Sequence, residues 1–247
     1  MENINKTQSR IGNPTSSEIV ALTKSGKGEM FGAAAKTYIE ECNMERRLGR
    51  SISEETNSKP TSWGQLVEKR VFELLGLEYR LCSQETIGHP HFNYWFGSPD
   101  GEKFDEGKTV IDIKSPKTLK SFCQIADCKT IEEVRENHKD GEKYYWQLVS
   151  NAILTGAENA ELIVYVPYQS ELEDIRELAR NTDEGVMSKY YWIHNATDEE
   201  LPYLIEGGHY KNLNIIRFKV PQADKDFLTE RVAAAGKLLE EFKSIAV

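Results

Sequence analysis

The sequence predicts an α/β fold, a central mixed β-sheet flanked by helices, formed as one domain. Three observations carry that expectation. Apolar runs with helical spacing alternate along the chain with short β-like runs. Two of the latter, "TVIDIK" from Thr109 and "AELIVYVP" from Ala160, are apolar enough for buried strands. Finally, 39% apolar and 29% charged residues over 247 positions suit one sizeable globular domain, with no repeat, low-complexity tract or Pro/Gly-rich linker to divide it.

In chain order, "TSSEIVALTK" opens like a helix that Thr15 or Ser16 caps. "FGAAAKTYIEECNMERRLG" follows as a longer helix ending near Gly49, and residues 49–62 read as an exposed loop that closes an N-terminal helical part of about 1–60. "TSWGQLVEKRVFELLGL" repeats apolar residues at Trp63, Leu66, Val67, Val71, Leu74 and Leu75, a third helix. β-like runs come next, at Tyr79–Cys82, Phe92–Phe96 and Thr109–Lys114. "GEKYYWQLVSNAILTG" reads as a buried amphipathic helix and "AELIVYVP" as a core strand. "ELEDIRELAR" is helical, "NLNIIRFKV" is a late strand, and a long helix at about 222–245 closes the chain.

Composition excludes several classes. No apolar run approaches the ~18–20 residues that span a bilayer. The opening "MENINKTQSRIGN" lacks the apolar centre of a signal peptide, so a cytoplasmic location is expected. Cys42, Cys82, Cys123 and Cys128 have no metal-site or disulfide spacing and read as free thiols. A net charge of −9 argues against non-specific coating of nucleic acid. It leaves room for a nucleic-acid enzyme that needs carboxylates for a metal and confines its positive charge to one groove.

One strand is unusual. In "VIDIK", Ile111 and Ile113 share one face while Val110, Asp112 and Lys114 share the other, with Asp112 and Lys114 roughly 6–7 Å apart at Cα. "SPDG" (98–101) precedes it, and its Pro and Gly signal a turn between "FNYWF" and "TVIDIK". In such a hairpin Asp100 and Asp112 approach as paired carboxylates, which repel unless a proton or a cation separates them. All-oxygen ligands suit Mg²⁺, with Mn²⁺ able to substitute. On the helix before them, Gly64, Glu68 and Phe72 form a stripe, so Gly64 would admit a neighbouring backbone and Glu68 would face the sheet.

Gly-x-x-x-Glu (Gly64, Glu68), Ser-Pro-Asp-Gly (98–101), Asp-x-Lys (Asp112, Lys114) and Gln147 in "YYWQLVSNAILTG" occur in that order. The series resembles the PD-(D/E)xK nuclease superfamily, and more closely the phage-type alkaline exonucleases of the YqaJ, lambda-exonuclease-like group. The likeness runs from about Arg10 to Pro167, including the Thr/Ser-rich turn "RIGNPTSSEIVAL". It departs at Asp112, where the lambda enzyme has the longer Glu.

The resemblance implies a restriction-endonuclease-like core. It also implies a Mg²⁺-dependent exonuclease that digests one strand of duplex DNA from the 5′ end, leaving 3′ single strand for phage-type recombination. Asp100, Asp112, the Ile113 carbonyl and Glu68 would hold the metal. Lys114 would orient or deprotonate the attacking water or stabilise its hydroxide form, and the Gln147 amide would hold Lys114 or a DNA phosphate. Arg10 and Ser17 would form a pocket for the 5′-phosphate. Lys103, Lys117 and Lys120 would track the duplex backbone, with Arg46, Arg47 and Arg50 as a second basic cluster. Double-stranded DNA ends, a single-strand annealing protein and a homo-oligomer, in the form of a trimeric ring, are the implied partners. Alternatives are an endonuclease, an exonuclease of other polarity, or an inactive DNA-binding assembly protein. Iron–sulfur Cas4-type members carry late cysteines, and none follows Cys128 here.

Overall fold

The computed structural model describes residues 10–52, 58–82, 86–182 and 187–241. The strands are β1 (Tyr79–Leu81), β2 (Ile87–Gly88), β3 (Phe96–Gly97), β4 (Gly101–Lys103), β5 (Thr109–Lys114), β6 (Asn159–Tyr165) and β7 (Leu213–Lys219). The helices are α1 (Ala33–Leu48), α2 (Lys59–Leu74), α3 (Leu119–Ala126), α4 (Ile131–Asn137), α5 (Gly141–Thr155), α6 (Leu172–Asn181), α7 (Met187–His194) and α8 (Gln222–Gly236).

The main sheet runs β1-β4-β5-β6-β7, while β2 and β3 pair separately. Only β5 and β6 are parallel, so the sheet is mixed. Their crossover carries α3, α4 and α5. Pleating sends Ile111, Ile113, Ile163 and Tyr165 to one face, packed with Trp63, Leu66, Val67 and Val71 of α2 and with Leu172, Ile175 and Ile193 beyond. Val110, Leu162 and Val164 point the other way, against Leu148, Val149 and Ala152 of α5 and Leu228 and Val232 of α8. Burying each such aliphatic side chain contributes about 1.5–3 kcal/mol. Two helices thus clamp β5 from opposite faces.

Several local expectations change. Thr15 and Ser16 cap no helix; Thr15 bridges Phe96 as a strand residue, and Ile19–Thr23 is a single 3₁₀ segment. α2 starts at Lys59, earlier than expected, because Ser58 Oγ accepts from the Thr61 amide and Pro60 suits the first turn. The partner of "TVIDIK" is β4, not the "FNYWF" run, of which only Phe96 lies in a strand. The reversal lies at Asp105–Lys108, where Lys108 N donates to Asp105 O over 3.1 Å and both Gly107 and Lys108 take positive φ. Ser98–Asp100 is instead the connector from β3 to β4. Gly101 is needed for close approach, since a Cβ there would stand 2.6 Å from the Phe72 ring and 2.7 Å from the Arg80 carbonyl. α8 ends at Gly236, short of the expected 245, and residues 242–247 lie outside the described ones. The four cysteines are free thiols, with Cys123 half-buried and the others buried.

Candidate active site

The β4–β5 register pairs Gly101 with Ile111, which sets Asp100 opposite Asp112. Backbone bonds fix the pair. Asp100 N donates to Ile111 O (3.2 Å), and Ile113 N donates to Asp100 Oδ2 (2.7 Å). Asp112 has no exposed surface. Its Oδ1 accepts from Gln147 Nε2 at 2.7 Å, so the Gln147 amide holds Asp112 and not Lys114. Its Oδ2 lies 2.7 Å from Lys114 Nζ, an ion pair without hydrogen-bond alignment. Lys114 Nζ also stands 5.2 Å above the Tyr144 ring.

Glu68 reaches the same place from α2. A cleft of about 470 Å³ is lined by Gly64, Glu68, Asp100, Ile113 and Lys114, together with Lys117, Ser121 and Tyr144. The expected closeness at Gly64 is absent: a Cβ there would meet nothing within 4 Å. The glycine therefore widens the cleft mouth instead of admitting a backbone.

The electrostatics follow from this packing. Part of Asp100 reaches solvent, yet protein encloses its carboxyl. Burial, then the charges of Asp112 and Glu68, push that carboxyl well above the ordinary range against the pull of Lys114. Burial works against the Lys114 ammonium, but Asp112 and Asp100 outweigh it and hold Lys114 charged above the ordinary lysine value. Among the described residues no three His, Cys, Asp or Glu side chains stand ready as a metal cage. The donor chemistry nonetheless fits a hard cation: carboxylate oxygens from a connector, a strand and a helix, one of them a buried Asp112 oxygen with no aligned donor.

The N-terminal residues also meet. Arg10 Nη2 donates to Ser17 Oγ (3.3 Å), which lies 3.2 Å from Thr15 Oγ1. This segment runs beside β3, with Ser16 N donating to Phe96 O and Phe96 N to Pro14 O. Ser16 Oγ is 2.8 Å from Ser150 Oγ, which also accepts from Trp95 Nε1 at 3.0 Å. α5 thus presents one stripe: Lys143 paired with Glu18, Gln147 with Asp112, and Ser150 with Ser16. Ser150 and Trp95 escaped sequence reading because their bonds span 134 and 55 residues.

The basic residues divide. Arg46 is buried and structural, donating to Gly12 O, Asn13 Oδ1 and Glu240 O. Arg47 is ion-paired to Glu40 and Glu240, and Arg50 is exposed. Lys103 lies 3.5 Å from buried Glu161. Lys120 is exposed. Of the three lysines expected along the duplex only Lys117 lines the cleft; it lies 4.8 Å from the Trp192 ring centre, and Lys59 lies 5.1 Å from the same ring.

This fold is that of the alkaline exonucleases. LHK-Exo, an alkaline exonuclease from Laribacter hongkongensis, superimposes with a TM-score of 0.59 at 16% identity over 94% of this chain and 90% of its own. The same figures hold for LHK-Exo in complex with dAMP. A phage-related exonuclease from Haemophilus somnus 129PT gives 0.60 at 16% identity, over 92% of each chain. No protein-family model matches the chain, and no curated protein matches it in sequence.

Proposed function

We propose that this chain is a Mg²⁺-dependent exonuclease that degrades one strand of linear duplex DNA from its 5′ end, leaving 3′ single strand for phage-type recombination. The observation that carries this reading is Asp112: a fully buried carboxylate, opposite Asp100 and beside Lys114, both of which line the cleft. Burying that much acid is costly in a purely structural site. It becomes useful where a divalent ion and a phosphate are to be held. The exonuclease neighbours of the same fold support the reading.

Asp100, Asp112 and the Ile113 carbonyl would hold Mg²⁺ or Mn²⁺, with Glu68 completing the set directly or through water. When bound, the ion supplies charge to the non-bridging phosphate oxygens and acidifies a water. Lys114, held charged by its two acidic neighbours, orients the attacking water and stabilises its hydroxide form. Gln147 keeps Asp112 in one rotamer. Arg10 and Ser17 receive the 5′-phosphate through a guanidinium and a hydroxyl. A homo-oligomer, in the form of a trimeric ring around the duplex, and a single-strand annealing partner complete the proposal.

End-labelled linear duplex and closed circular duplex, each with and without Mg²⁺, test it. Loss of label from linear DNA alone, only with Mg²⁺, is the expected result. Cutting of circles would make the chain an endonuclease, and no digestion at all would leave a DNA-binding protein. Lys114→Ala should lower kcat by at least about 10² while leaving DNA affinity within threefold.

A further inference from the structure

His138 is nearly fully buried and takes no part in the chemistry above. Its Nδ1 accepts from the Asp140 backbone amide at 3.2 Å. A ring nitrogen that accepts carries no proton, so the neutral imidazole bears its hydrogen on Nε2. Burial holds the ring neutral, with Asp140 pulling towards the charged form and Lys139 opposing it. Nε2 lies 2.7 Å from Ser121 Oγ, which places the imidazole as donor and the hydroxyl as acceptor. The ring is also clamped against Tyr144, 5.4 Å between centroids, and Tyr144 lies beneath Lys114.

With its oxygen occupied as acceptor, the Ser121 hydroxyl has one proton left to donate. Among the described residues no protein acceptor is in place for it, and Ser121 lines the cleft. Lys117, an ammonium with no carboxylate partner among the described residues, lines the same cleft. A hydroxyl proton turned away from His138 and an ammonium lining one cleft are together suited to phosphodiester oxygens.

Resting on the nuclease reading, we propose that Ser121 binds a backbone phosphate of the DNA strand next to the scissile one, and that His138 is the positioning residue that aims its proton into the cleft. The hydroxyl is oriented before the strand arrives, so ordering it costs little on binding.

Fluorescence anisotropy in EDTA, on duplexes with a short single-stranded tail, tests this without any cleavage. Ser121→Ala should weaken binding on the order of tenfold, about 1.4 kcal/mol. His138→Phe, which keeps the ring stack and loses both nitrogens, should match it. His138→Gln, which restores an amide donor, and Ser121→Thr should stay near wild type. The source of the phosphate is read with duplexes carrying one neutral methylphosphonate linkage at successive positions. At one position the wild type should weaken and Ser121→Ala should lose nothing further. Wild-type affinity in Ser121→Ala, or the same tenfold loss at every linkage, overturns the proposal; so does inorganic phosphate or a mononucleotide competing at micromolar concentration, which would make the site one for free anions. Ser121→Ala decides the matter if His138→Phe fails to fold. Tight, Ser121-dependent binding without Mg²⁺-dependent digestion would remove the nuclease reading and keep the phosphate site. Digestion with Ser121-independent binding would do the reverse.

Discussion

Asp112 and Asp100 stand opposite each other in the β4–β5 register, with Lys114 beside Asp112 and the Asp100 carboxyl pushed towards its protonated form by burial and by Asp112. The Asp100 carboxyl is held well above its ordinary 3.8. A raised folded-state value means the native chain binds a proton that the unfolded chain releases. The stabilisation from this group is complete at low pH and is lost as pH rises through the raised value. Asp100→Asn, whose amide oxygen still accepts from Ile113 N, should therefore melt like wild type near pH 4 in EDTA. Its Tm should exceed wild type by a few degrees at pH 8, where roughly 2–4 °C corresponds to 1 kcal/mol in a chain of this size. A difference that stays flat with pH would show that the Asp100 carboxyl is not held above its ordinary value. On the Mg²⁺ site proposed above, the same sign should make Mg²⁺ binding tighten as pH rises, because the ion would need the Asp100 carboxyl deprotonated.

At the scale of single elements, α5 connects the acidic cleft to the N-terminal segment. Ser150→Ala leaves Trp95 Nε1 and Ser16 Oγ buried without their partner, at about 1–3 kcal/mol each. Urea unfolding should show a lower midpoint with an unchanged slope. Arg10→Ala should slow digestion of 5′-phosphorylated duplex about tenfold and leave 5′-hydroxyl duplex unaffected; equal rates of wild type on the two ends would remove the pocket. Elements with long apolar periodicity, such as α5, β6 and β7, were legible in the sequence, and so was the strand that carries Asp112 and Lys114. β4 was not. "GEK" has no strand propensity and is a strand because β1 and β5 hydrogen-bond it on both edges. α3 and α4 are too short for periodicity to show, and each is fixed by a threonine cap, Thr118 and Thr130. The acidic pair is legible although the hairpin partner is not: the turn residues point to "FNYWF", the structure pairs β5 with β4, and Asp100 leads directly into β4. His138 and Ser121 carry no local pattern, since their pairing appears only after α3 and α4 have packed.

The molecule as a whole carries net −9, yet Lys59 and Lys117, the latter lining the cleft, both stand over Trp192 with no carboxylate partner among the described residues. On a repulsive background, local cations decide where a polyanion lands. Replacing both lysines with alanine should flatten the plot of log affinity against log salt by roughly 0.7–0.9 per lysine, without changing kcat at saturating DNA. An unaltered slope would place the strand elsewhere. No described helix is long and apolar enough to cross a membrane.

Arg46 has a different reach. Its guanidinium binds the carbonyl of Gly12 and that of Glu240, so the beginning and the end of the described chain lie within one side chain of each other. Covalent order and spatial order are therefore decoupled at this seam. A short peptide joining residue 10 to residue 241, with the residues beyond them removed, would make the path continuous, and the break could be moved to the exposed residues 49–52 after α1, giving a circular permutant that keeps the same sheet and the same cleft.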